Sequence, residues 1–99
     1  MSASKIQLRH PDPAKSAPRI SSEKYEAVKS AILQAVSETE TGILFRDLPE
    51  RVSELMSTDQ LANLGSVGWY TTTVKFDLEA RGLIERVPGS NPRRLRPLE

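Results

Sequence analysis

GWYTTTVKFDLEARGLIERVPGSNPRRLR, residues 68–96, is the stretch on which the fold turns. Its run of three threonines and a valine suits a strand, because β-branched side chains lose rotamer freedom in a helix. The period of the apolar residues argues the other way. On a helix Trp69, Thr73, Phe76 and Ala80 form one row and Tyr70, Val74 and Leu78 its neighbour, while Thr71, Thr72, Lys75 and Glu79 gather on the opposite side. Gly82 then sits where a glycine ends a helix. Beyond it residues 83–87 and 93–96 read as two strands, joined by the turn-forming run Pro88-Gly89-Ser90-Asn91-Pro92.

Working back from Gly68, Ser57-Thr58-Asp59-Gln60 is a capping box ahead of Leu61 and Leu64, which predicts an extra helical turn. Phe45, Leu48, Val52 and Leu55 mark one face of a helix that begins near residues 45–48, with Pro49 confined to its first turn. The short apolar run Gly42-Ile43-Leu44-Phe45 leads into it as a strand. An earlier helix opens at Ser21 or Ser22 and carries Tyr25, Val28, Ile32, Ala35 and Val36 at helical spacing, until Gly42 stops it. Residues 1–20 hold Pro11, Pro13 and Pro18, and the alternation in Lys5-Ile6-Gln7-Leu8-Arg9 suits a short edge strand. The expected organisation is an extended N-terminal arm over residues 1–20 and one domain over residues 21–99. Its expected order is helix, strand, helix, helix, strand, strand, which makes it α+β and mostly α.

Composition excludes several classes of function. The 99 residues allow one domain with one modest core. With no cysteine and one histidine, thiol chemistry and a multi-histidine metal site are both out. No nucleophile–base pair, glycine-rich phosphate loop or metal-ligand spacing is present, so the chain is not expected to be an enzyme or to take a small-molecule cofactor. No apolar run reaches the roughly 20 residues of a membrane span, and Met-Ser-Ala-Ser-Lys-Ile lacks an apolar signal core; the expected place is the cytoplasm, away from membranes. The net charge of +1 conceals an asymmetry. Residues 1–20 hold four basic residues against Asp12, and residues 81–99 hold five arginines against Glu85 and Glu99; five basic residues face ten acidic ones in between. Two basic ends around an acidic body are the pattern of an anion-binding surface.

Asp77-Leu78-Glu79-Ala80-Arg81-Gly82-Leu83-Ile84 resembles the end of a recognition helix entering the wing of winged helix-turn-helix transcription factors. Together with His10-Pro11-Asp12-Pro13, Lys24-Tyr25-Glu26-Ala27 and Gly68-Trp69-Tyr70, it also resembles a family of small uncharacterised bacterial winged-helix proteins, over nearly the whole chain. The resemblance implies the fold and no assigned activity. Similar proteins often end the wing with Pro-Leu-Arg-Trp-His, where this chain has Arg93-Arg94-Leu95-Arg96-Pro97.

A winged helix implies double-stranded DNA as partner, in a regulator or accessory factor of transcription. The helix after Gly68 would lie in the major groove, with Thr71, Thr72 and Lys75 reaching base edges. Arg93, Arg94 and Arg96 would hold phosphates or enter the minor groove from the wing. A homodimer pairing through the arm would suit palindromic half-sites. The alternative class is a protein-interaction module on the same scaffold. Trp69, Tyr70, Tyr25, Phe45 and Phe76 read as core, and His10 as an incidental surface residue. Asp77, between the two apolar rows, needs a partner. Arg81 is the nearest candidate and Arg46 or Arg51 the others, in an ion pair setting the angle between the helices at 48 and 69.

Overall fold

Three serines start three of the helices in the computed structural model, which describes residues 4–98. Met1 to Ala3 and Glu99, the ends of the two stretches read from the sequence, lie outside the described residues. Ser21 caps α1 (Ser22–Ser37) by accepting from the Lys24 N–H, and Ser66 caps α4 (Val67–Ala80) by accepting from the Trp69 N–H at 3.1 Å. Ser57 and Gln60 close a reciprocal capping box on α3 (Thr58–Leu64), so the expected extra turn is a helix in its own right. Between α1 and α3, a 3-10 turn at Phe45–Asp47 leads into α2 (Leu48–Leu55), whose proline lies in the first turn as anticipated.

α4 ends at Gly82. With φ 76°, this glycine allows its own N–H to reach the Glu79 carbonyl and that of Leu83 to reach Leu78, the paired bonds of a Schellman motif. The chain emerges into β4 (Ile84–Arg86) and returns in β5 (Arg94–Pro97). β5 lies between β4 and β3 (Ile43–Leu44) in a three-stranded antiparallel sheet, with Leu44 opposite Arg94 and Arg86 opposite Leu95. Gly42 is fixed at the sheet's edge: its φ is 89°, and a Cβ there would come within 2.6 Å of the Leu95 carbonyl oxygen.

The N-terminal segment is more than an extended arm. β1 (Lys5–Gln7) pairs antiparallel with β2 (Arg19–Ser21), with Ile6 opposite Ile20, and the hairpin places Leu8 and Ile20 in the main core. Tyr25, Val28 and Ile32 of α1, Leu48 and Val52 of α2, Val74 and Leu78 of α4, Ile84 and Leu95 of the sheet complete that core. The result is a compact α+β domain, about half helical, with four helices and two small sheets among the described residues. None of those helices is long and apolar enough to cross a membrane.

Candidate functional site

α4 is rotated relative to the wheel read from its apolar residues, and the rotation decides which side chains it offers. Trp69, expected in the core, is 47% exposed, and Phe76 is half-buried; the buried face is Thr71, Val74, Lys75, Asp77 and Leu78. Three polar residues therefore point inward. The protein interior tolerates a buried charge only where partners compensate it, and two of the three have them.

Asp77 is fully buried and binds three chain segments at once. Its Oδ1 accepts the backbone N–H of Arg9 at 2.8 Å, its Oδ2 accepts the Tyr25 hydroxyl at 2.7 Å, and the Arg81 Nε donates to both oxygens, at 3.0 and 2.8 Å. The Arg81 pairing follows the expectation; the geometry otherwise corrects it. Arg51 is engaged with Glu38 and Glu54 instead, and the carboxylate fixes the hairpin and α1 to α4 rather than setting the angle between α2 and α4. Burial pushes the Tyr25 phenol well above its usual range, and the hydrogen bond to Asp77 adds to the shift. The same carboxylate holds the Arg81 guanidinium firmly protonated.

Lys75 lies in a stack of rings and cations. Its Nζ is 3.8 Å from the Phe76 ring centre and 4.6 Å from that of Phe45, and it donates to the Glu79 carboxylate at 3.3 Å. Arg86 lies 5.6 Å from the same Phe45 ring centre and donates to Glu79 at 2.9 Å. His10 extends the stack from the hairpin, its ring centre 4.5 Å from that of Phe76. It is thus a packing residue, with its Nδ1 accepting the Asp12 N–H at 2.9 Å. Burial pushes the Lys75 amine down, Glu79 opposes that shift, and the nearby Arg86 and Arg93 add to it.

These positions revise the residues expected to meet DNA. Thr71 is 1% exposed and Lys75 is 7% exposed, so neither can reach a groove, whereas Thr72 is exposed as read. The arginines of β5 and the turn before it divide. Arg96 pairs with Glu85 at 2.7 Å, and Arg94 donates to the Gly42 carbonyl at 2.9 Å, so both hold the sheet together. Arg93 is exposed and has no acidic partner among the described residues. Its carbonyl accepts the Phe45 N–H at 3.0 Å, which sets it beside the exposed Arg46, for which the sequence suggests only a pairing with Asp77. On the other flank of α4, the backbone of exposed Arg9 is fastened to Asp77. Glu79, which on an outward face would repel phosphate, has a side chain only 8% exposed and is neutralised by Lys75 and Arg86.

The outward ridge of α4 thus consists of Trp69, Thr72, Thr73 and the His10-capped Phe76, bordered by Arg46 and Arg93 on the sheet side and Arg9 on the hairpin side. No group of three or more potential metal-ligating side chains occurs among the described residues. Fold and site define a small α+β domain whose last helix carries an aromatic and threonine ridge between arginines. Residues 5–95 match the model described as "Family of unknown function (DUF6958)", and the chain belongs to that family. No curated protein and no solved structure matches the chain.

Proposed function

We propose that this chain is a winged helix-turn-helix protein that binds double-stranded DNA, with α4 in the major groove and the turn between β4 and β5 against the backbone. Its element order supports the fold reading: α1, β3, α2, the additional α3, α4, then a β4–β5 hairpin whose second strand pairs with β3. The observation that carries the binding reading is the placement of Arg46, Arg93 and Arg9. All three are exposed, and none has an acidic partner among the described residues. Cations so placed meet the phosphates on either side of a groove, while Thr72 reaches a base edge and Trp69 a thymine methyl.

Fluorescence anisotropy with random-sequence duplex DNA at two salt concentrations tests this reading. Each phosphate contact contributes a slope of about −0.9 in log K against log salt, so Arg46→Ala with Arg93→Ala flattens the slope by about two units. An absence of binding at low salt rejects the proposal. A size measurement on the same sample tests the expected homodimer. A second reading, a protein-interaction module, is favoured by one observation: the ridge itself carries no cation, and its Trp69 is open to solvent.

A further inference from the structure

α3 is separately capped and gives the core only Leu64 and the partly buried Leu61, which leaves most of its surface outside that core. What it builds is one wall of a groove of about 500 Å³. The floor is apolar: Ala27 and Ala31 of α1, Leu55 and Met56 at the end of α2, and Leu64. The small residues on α1 leave room for another backbone to come close. Along α1 the lining runs from Glu23 to Gln34, about 16 Å or three helical turns.

Both walls carry carboxylates. Glu23 and Glu26 stand on α1 and Asp59 on α3, all exposed and none in an ion pair among the described residues. The cation that lines the groove, Lys24, is already engaged: its Nζ donates to the Leu64 carbonyl at 3.5 Å and lies 5.4 Å from the Tyr70 ring centre. We propose that this groove docks a basic amphipathic helix of a partner protein, with the apolar face on the alanine and leucine floor and lysines or arginines against Glu23, Glu26 and Asp59. Charge complementarity selects this occupant, since an acidic helix meets three unpaired carboxylates and a wholly apolar one leaves them desolvated. None of these groove residues belongs to the α4 ridge or its bordering arginines, so the inference stands apart from DNA binding.

The probe is a fluorescein-labelled synthetic peptide of about 14 residues with leucines at i, i+3, i+4 and i+7 and lysines elsewhere, beside a twin with glutamates for the lysines. The full chain, whose net charge of +1 gives no general attraction for cations, should prefer the lysine peptide by about tenfold or more. Glu23→Lys, Glu26→Lys and Asp59→Lys together should reverse that preference. Ala27→Arg should abolish lysine-peptide binding while leaving the circular dichroism spectrum unchanged. Equal affinity for the two peptides, no binding of either, or a preference that survives the triple reversal overturns the proposal. A concentration-dependent dimer dissolved by Ala27→Arg also overturns it, by giving the groove to a second copy of the chain.

Discussion

Replacing Asp77 by alanine removes the acceptor on which three chain segments converge. Two of its donors are left in difficulty: the Tyr25 hydroxyl, on a side chain buried in the core, and the Arg9 backbone N–H, held against α4. Each unpaired buried donor costs about 1–3 kcal/mol. Arg81 is less affected, because its side chain is a quarter exposed and water can replace the carboxylate. The expected loss is about 3–5 kcal/mol, the range for breaking one side of a buried ion pair. That is a large part of the roughly 5–15 kcal/mol that holds a domain folded, and for one of this length it lowers the melting temperature by on the order of 20 °C. Urea unfolding followed by circular dichroism measures the loss. Hydrogen exchange locates it, with the Arg9 amide losing protection first. A loss under about 1 kcal/mol would refute the reasoning, since it would mean that the three donors find other partners at no cost.

Two further outcomes follow from the same inward-facing side of α4. The Thr71 hydroxyl is buried with no hydrogen-bond partner among the described residues, so Thr71→Val should stabilise the fold by about 1–2 kcal/mol and leave any DNA affinity unchanged; a lower melting temperature or weakened duplex binding would contradict this. Tyr25→Phe should be less stable than wild type at neutral pH, with the difference shrinking in alkali. The phenol's pKa is raised on folding, so its contribution is fully present below its ordinary value of about 10 and is lost as pH rises through the folded value. Over that window the wild type loses about 1.4 kcal/mol per pH unit through this group. Lys75, pushed down by burial, acts with the opposite sign, adding stability as pH rises towards its ordinary value of about 10.5, so the difference between the two proteins, and not the wild-type curve alone, isolates Tyr25. A constant difference from pH 8 to 11 would mean that burial and the Asp77 hydrogen bond do not raise the phenol's pKa on folding.

Most elements were readable because their signals are local. The serine caps, the Gly82 terminator and the Pro49 position specify helix ends through backbone hydrogen bonds within a few residues. The alternation around Ile6 gave a strand, although its partner at Arg19–Ser21 did not show, since three residues between turns carry little pattern. The orientation of α4 departs from its hydrophobic periodicity for a physical reason. Hydrophobic periodicity sets Asp77 between the apolar rows but assumes that Thr71 and Lys75 face water, whereas distant groups draw the helix round: Arg9 and Tyr25 at Asp77, and Phe45 at Lys75. Nothing in the local sequence announces those partners. With the helix turned, Trp69 came out and Thr71 went in. The Arg96 pairing with Glu85 was within reach, being a cross-strand neighbour in the β4–β5 register, while the bond from Arg94 to the Gly42 carbonyl depends on β3 closing the sheet.

The central claim, that the ridge of α4 between Arg9 and Arg93 is a duplex-binding surface, is tested most directly by nuclear magnetic resonance of the isotopically labelled chain titrated with a short duplex. The account predicts shifts concentrated on the Trp69 indole N–H and the backbone amides of Thr72, Thr73, Arg46 and Arg93, with Ala27, Ser30 and Asn63 in the groove beside α3 unmoved. Shifts centred on that groove, or none at all at low salt, would contradict it.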